Sequence, residues 1–176
     1  MEEEIKKENT SKSKKKIASI NDGVIVKVKS GFYGTLYYRN LTSGETFRWE
    51  HAGDVQFMSM RDLRTMKAQQ ISFFKNQWII ILGVADGEDE NITAEDIYKN
   101  LIVTQYYSQL VDPSSFAEAH TWSDSEIDER IGMLNAGSKE NLIVALNKLI
   151  GDGKLDSIKK IKRFEKALAC TLRNFD

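Results

Sequence analysis

The chain carries one cysteine, Cys170, and two histidines, His51 and His120. Nucleophilic catalysis would need that thiol beside an imidazole that is itself oriented by a third group. Neither histidine lies in a recognisable motif: His51 follows Trp49-Glu50 at a strand end, and His120 falls in a helix-to-loop region. Cys170 sits within a predicted helix, where a thiol serves as a small core residue. A lone cysteine forms no intramolecular disulfide, and with two distant histidines it does not complete a structural zinc site. The run Asp86-Gly87-Glu88-Asp89-Glu90 has the charge to attract a cation but lacks the alternating oxygen offsets and terminal glutamate of a calcium loop, so it reads as a solvated acidic turn. The glycines occur in turns and form neither GxGxxG nor GxxxxGK[ST], the patterns that cradle phosphates. The sequence therefore predicts no catalytic residues, no cofactor, no metal and no small-molecule substrate.

Cations offer a different chemistry. Lys12, Lys14, Lys15 and Lys16 cluster near the start, and Lys159, Lys160, Lys162, Arg163 and Lys166 recur near the end at helical spacing. Such groups contact phosphates or the carboxylates of a partner. The whole chain balances 25 Lys+Arg against 26 Asp+Glu, which excludes a strong overall field. Charge is instead segregated: twelve acidic residues face two basic ones between Asp86 and Arg130, and seven basic face two acidic between Lys154 and Arg173. The two regions can pair with each other or with neighbouring copies. Phe32, Tyr33, Tyr37, Tyr38, Phe47 and Trp49 are available to stack bases, but their alternation assigns at least half of them to a core. A small nucleic-acid-binding regulator, using the basic C-terminal helix and the lysine-rich arm, is thus the alternative to a protein-contact role.

These side chains must be positioned by a fold that fits 176 residues, enough for one compact domain or one with a small satellite. Residues 1–21 are polar and charged and read as a flexible arm. Residues 22–85 read as a small β-rich module. Val24, Val26 and Val28 alternate with Ile25, Lys27 and Lys29; Leu36 and Tyr38 share a face; NLTSG marks a turn; Phe47 and Trp49 alternate with polar residues; and Val55 to Met58 follows Gly53-Asp54. Four short strands at this spacing predict an antiparallel barrel or meander. Ser59 with Asp62 opens a helix over 60–77, and Trp78 to Leu82 is a buried strand returning to the sheet.

Residues 86–176 read as helical, with Gly83 to Asn91 as the boundary. Thr93 caps a helix from Ala94 to about Tyr107, Pro113 suits the first turn of a short helix, and Ser123 with Glu126 caps another through Leu134. Residues 138–172 form a helical hairpin around Gly151-Asp152-Gly153, with Leu155, Ile158, Ile161, Phe164, Leu168 and Leu172 as one apolar stripe. The fold class is α+β. No apolar stretch approaches the roughly 20 residues that span a bilayer, and the N-terminus is charged where a secretory signal would be apolar, so no membrane partner is expected.

The stretch VIVKVKSGFYGTLYYRNLTSGETFRWEHAGDVQFMSMRDLRTMKAQQISFFKNQWIII resembles a family of small proteins from tailed bacteriophages. The likeness rests on the Val-x-Val strand, Gly34 before Leu36 and Tyr38, Gly44, Trp49, Gly53, the helix start between Met58 and Leu63, and Phe74 before Trp78. GDGKLDSIKKIKRFEKAL resembles the end of the same family, so the likeness spans residues 24–172. It implies a non-enzymatic virion or assembly component, such as a capsid-associated, neck or tail protein, synthesised in the host cytoplasm. Its implied partners are other virion proteins or copies of itself, and it brings no catalytic residue to carry over.

Overall fold

The computed structural model describes residues 19–108 and 113–172. In chain order its elements are β1 (Ile25–Ser30), β2 (Leu36–Arg39), β3 (Thr46–Trp49), β4 (Val55–Ser59), α1 (Met60–Gln69), α2 (Ser72–Lys75), β5 (Ile79–Val84), α3 (Ala94–Leu101), α4 (Asp124–Met133), α5 (Ala136–Gly151) and α6 (Ile158–Leu168). Short 3₁₀ segments cover Thr104–Tyr106 and Pro113–Thr121. The protein is a small antiparallel β-structure packed with helices, followed by a mostly helical C-terminal half, as its alternation and capping signals predict.

The strands divide three and two. β1 lies between β4 and β5, antiparallel to both, and β2 pairs with β3 as a separate hairpin. Alternation sets which side chains turn inward: Val26 and Val28 of β1, Leu36 and Tyr38 of β2, Phe47 and Trp49 of β3 and Met58 of β4 are all buried. The pairing of β1 with β5 shifts register between Lys27 and Val28. At that irregularity the buried indole N–H of Trp49 donates to the Val28 carbonyl at 3.0 Å, satisfying a main-chain group inside the core.

Ser59 and Asp62 cap α1 reciprocally, and Asp62 also accepts from the buried Asn40 amide at 2.7 Å. The single helix expected over 60–77 is instead two, because Gln70 leaves the helical region at φ −145°. The break carries both Phe73 and Phe74 into the core. There Phe73 sits edge-on to Tyr38 and to Trp78, each at 5.6 Å between ring centroids. α3 keeps its Thr93–Asp96 capping box but stops early, at Ile102 with φ 56°, before the 3₁₀ turn. Its Ile97 and Leu101 join the same core as the strands. The acidic turn at 86–90 therefore lies within the stretch that builds this first core.

A second core gathers Phe116, Trp122, Ile131, Leu142, Leu146 and Phe164. α6 packs chiefly on α4, and α5 chiefly on the 3₁₀ segment at 113–121. Ile158, expected in the apolar stripe of the last helix, is 69% exposed. It occupies the first position after the Ser157 cap, a full turn before the buried Ile161.

The two cores meet at the loop between β1 and β2. Phe32 packs on the first core against Trp78, whereas Tyr33 packs on the second. Asn141 of α5, buried among these groups, accepts from the Tyr33 N–H and donates to the Gly31 carbonyl. Beside it Gly137 lies so close to Asn76 that a Cβ at this position would overlap that residue.

Candidate functional site

Alternation gives the three-stranded sheet a second face. On it stand Ile25, Lys27 and Lys29 of β1, Val55 and Phe57 of β4, and Ile80 and Leu82 of β5. Lys27 pairs with Phe57 and Lys29 with Val55 across the β1–β4 ladder. The face is covered at Ile80, which is 5% exposed, and open at its flanking strands, where Val55 is 39%, Leu82 47% and Phe57 57% exposed. Isolated exposed apolar residues are ordinary, but here three large ones stand on one face, Val55 and Phe57 on β4 and Leu82 on β5, on either side of the lysines of β1, and exposed apolar groups gathered on one face mark contact surfaces.

The acidic turn lies at the rim of this patch. Asp86 reaches Lys27 Nζ at 3.1 Å, with its own side chain otherwise fully exposed, and Glu88 accepts from the Ile25 N–H at 3.1 Å. Among the described residues Lys29 makes no ion pair.

The outer edge of β5 is closed by aromatic side chains. Tyr98 Oη accepts from the Ile81 N–H and Tyr107 Oη donates to the Ile79 carbonyl, both at 2.8 Å, with the two rings stacked 4.1 Å apart. Burial pushes the Tyr98 phenol up to about 12, against the opposing effect of the Ile81 N–H. Burial likewise raises Tyr107 well above its ordinary value, with the Tyr98 phenol adding to the shift.

The basic residues near the C-terminus separate into two groups. Lys160 donates to the His120 carbonyl, and Arg163 forms an ion pair with Asp128 of α4, so these two cations fasten α6 to its neighbours. Lys159, Lys162 and Lys166 are exposed and form one stripe beside Ile158. Among the described residues the acidic and basic segments thus meet at one ion pair, Arg163–Asp128. Lys12, Lys14, Lys15 and Lys16 lie outside the described residues. Ser19 to Asn21, the end of the stretch read as an arm, are described: Ile20 is buried, and Arg64 binds the Ile20 carbonyl together with Asp22 and Asn100.

The three residues considered for nucleophilic chemistry are dispersed among different elements. His51 is exposed in the β3–β4 turn near Asp54, His120 lies in the last turn of a 3₁₀ segment, and Cys170 follows α6. Burial, and secondarily the Glu165 carboxylate, raise the Cys170 thiol, opposite to the depression that activates a nucleophile. Among the described residues no group of three or more His, Cys, Asp or Glu is arranged to hold a metal ion, and no helix is long and apolar enough to cross a membrane. Three clefts of about 180, 210 and 280 Å³ are each smaller than the roughly 300–1,000 Å³ usual for small-molecule sites.

The sheet face is the feature that sequence reasoning missed. Its signal was present in the apolar residues on both sides of the alternation, with Ile25 beside Val26 and Phe57 beside Met58. No protein-family model, curated protein or solved structure matches the chain.

Proposed function

We propose that the chain is a non-enzymatic structural component of a tailed-phage particle, capsid-associated or from the neck or tail, acting through protein–protein contacts. One observation carries the contact role: Val55, Phe57 and Leu82 stand exposed on the flanking strands of a sheet whose other face is packed into the core. A rigid backbone under an exposed apolar patch suits docking, because little ordering entropy is lost on contact. The sequence likeness over residues 24–172 supports the phage setting, with other virion proteins or copies of this chain as partners and the particle as its location.

Sedimentation of the purified chain, alone and with the products of genes adjacent to its own, tests this reading. Association that is lost on Phe57→Ser is the expected result. A chain that stays monomeric and binds none of those products overturns it.

A second reading rests on the exposed stripe of Lys159, Lys162 and Lys166, which is free to meet phosphates as a nucleic-acid-binding regulator would. It predicts binding to duplex or single-stranded DNA that weakens steeply with salt. Titration at two salt concentrations decides it, and no binding at low salt removes it.

A further inference from the structure

Resting on the contact role of the sheet face, we infer that its occupant is an acidic amphipathic segment of another protein. Its apolar residues would lie on Phe57 and Leu82, and its carboxylates on Lys27 and Lys29. The face is bipartite by construction: the central strand presents lysines, and the strands on either side present large apolar groups. Gly83 is the β5 partner of Lys27, and the space where its side chain would stand is open, with nothing within 4 Å. An incoming group can therefore settle between Lys27 and Leu82.

The chain itself shows which charge belongs there. Asp86 places a carboxylate on Lys27 at 3.1 Å from a turn at the rim, whereas Lys29 has no ion-pair partner among the described residues. A second copy packed face to face would set the lysine-bearing strand against its own counterpart, a like-charge contact that costs affinity. Phosphate groups would satisfy the lysines but leave Val55, Phe57 and Leu82 unmatched. An acidic segment with large apolar residues satisfies both. Asp86 then acts as an internal competitor for Lys27, and its removal strengthens binding.

The test pans a displayed random-peptide library on the full-length chain and titrates the enriched peptides against variants. The expected enrichment combines Asp or Glu with large apolar residues. Phe57→Ser and Lys29→Glu should each weaken those peptides about tenfold, and Asp86→Asn should tighten them about threefold. Matching far-UV spectra and melting curves establish that each variant folds, and Leu82→Ser replaces Phe57→Ser where that variant does not. Absence of enrichment, enrichment of neutral or basic peptides, or binding indifferent to the substitutions overturns the inference. Sedimentation separates the two levels. Self-association abolished by Phe57→Ser would assign the face to a second copy, overturning the acidic segment while leaving the contact role intact. The contact role fails separately, when neither neighbouring gene products nor a second copy binds.

Discussion

Asn141 holds Gly31 across 110 residues of sequence, its amide donating to the Gly31 carbonyl while its carbonyl oxygen accepts from the Tyr33 N–H. One side chain thereby satisfies two main-chain groups of the β1–β2 loop and ties α5 to the β-module. Asn141→Ala orphans both, and an unsatisfied buried polar group costs about 1–3 kcal/mol, so a loss of about 2–4 kcal/mol is expected. Urea denaturation measures it. A loss below about 0.5 kcal/mol, the scale of an ordinary surface substitution, would show that the junction is not held this way.

Two adjacent β4 residues should respond in opposite fashion. Phe57 is 57% exposed and Met58 fully buried, so Phe57→Ser should shift folding stability by no more than about 0.5 kcal/mol. Met58→Ser combines a cavity with an unpaired hydroxyl and should cost about 3 kcal/mol or more. Equal losses from the two would place the face incorrectly.

Alkaline stability should follow the buried tyrosines. Burial, assisted by the Asp62 carboxylate, pushes Tyr38 up to about 12 from 10.0, and burial raises Tyr98 to the same region. A phenol whose folded value is raised holds its proton more tightly in the native state. Its contribution is fully present below the unfolded value and is lost as pH rises through the folded one. Stability should therefore fall between about pH 10 and 12, with tyrosinate absorbance appearing as the protein unfolds. Tyr98→Phe should flatten that fall. An unchanged pH slope would remove Tyr98 from the account.

The cations of α6 should divide by role. Arg163→Ala breaks the pair with Asp128 and should cost about 0.5–1 kcal/mol, since both groups are partly exposed to screening solvent. Lys162→Ala should leave the melting temperature unchanged. If the stripe binds nucleic acid, the combined change of Lys159, Lys162 and Lys166 to alanine abolishes salt-sensitive DNA binding without affecting stability.

What was legible in the sequence was what is local. Ser59 with Asp62 and Ser123 with Glu126 form their capping boxes as spaced, because a cap depends on residues three apart. The inward turn of Val26 and Val28 follows directly from period two. Which strands are neighbours does not: alternation defines two faces of β1 but gives no sign that β4 and β5 flank it. Nor does it reveal that Phe57 and Leu82 on the outer face are left exposed. Spacing likewise placed Ile158 in the stripe, since periodicity does not mark where one helix ceases to touch another. Lys160 and Arg163 look like Lys159 and Lys162 in sequence. Only the positions of the His120 carbonyl and Asp128 separate anchoring cations from exposed ones.

Tyr98 and Tyr107 occupy hydrogen-bonding groups that an added strand would need along the outer side of β5. Growth of the sheet past that border would require breaking both contacts and separating the stacked rings. Sheet-to-sheet addition at β5 is thereby disfavoured, which leaves side chains and not main-chain groups to make any contact along this border.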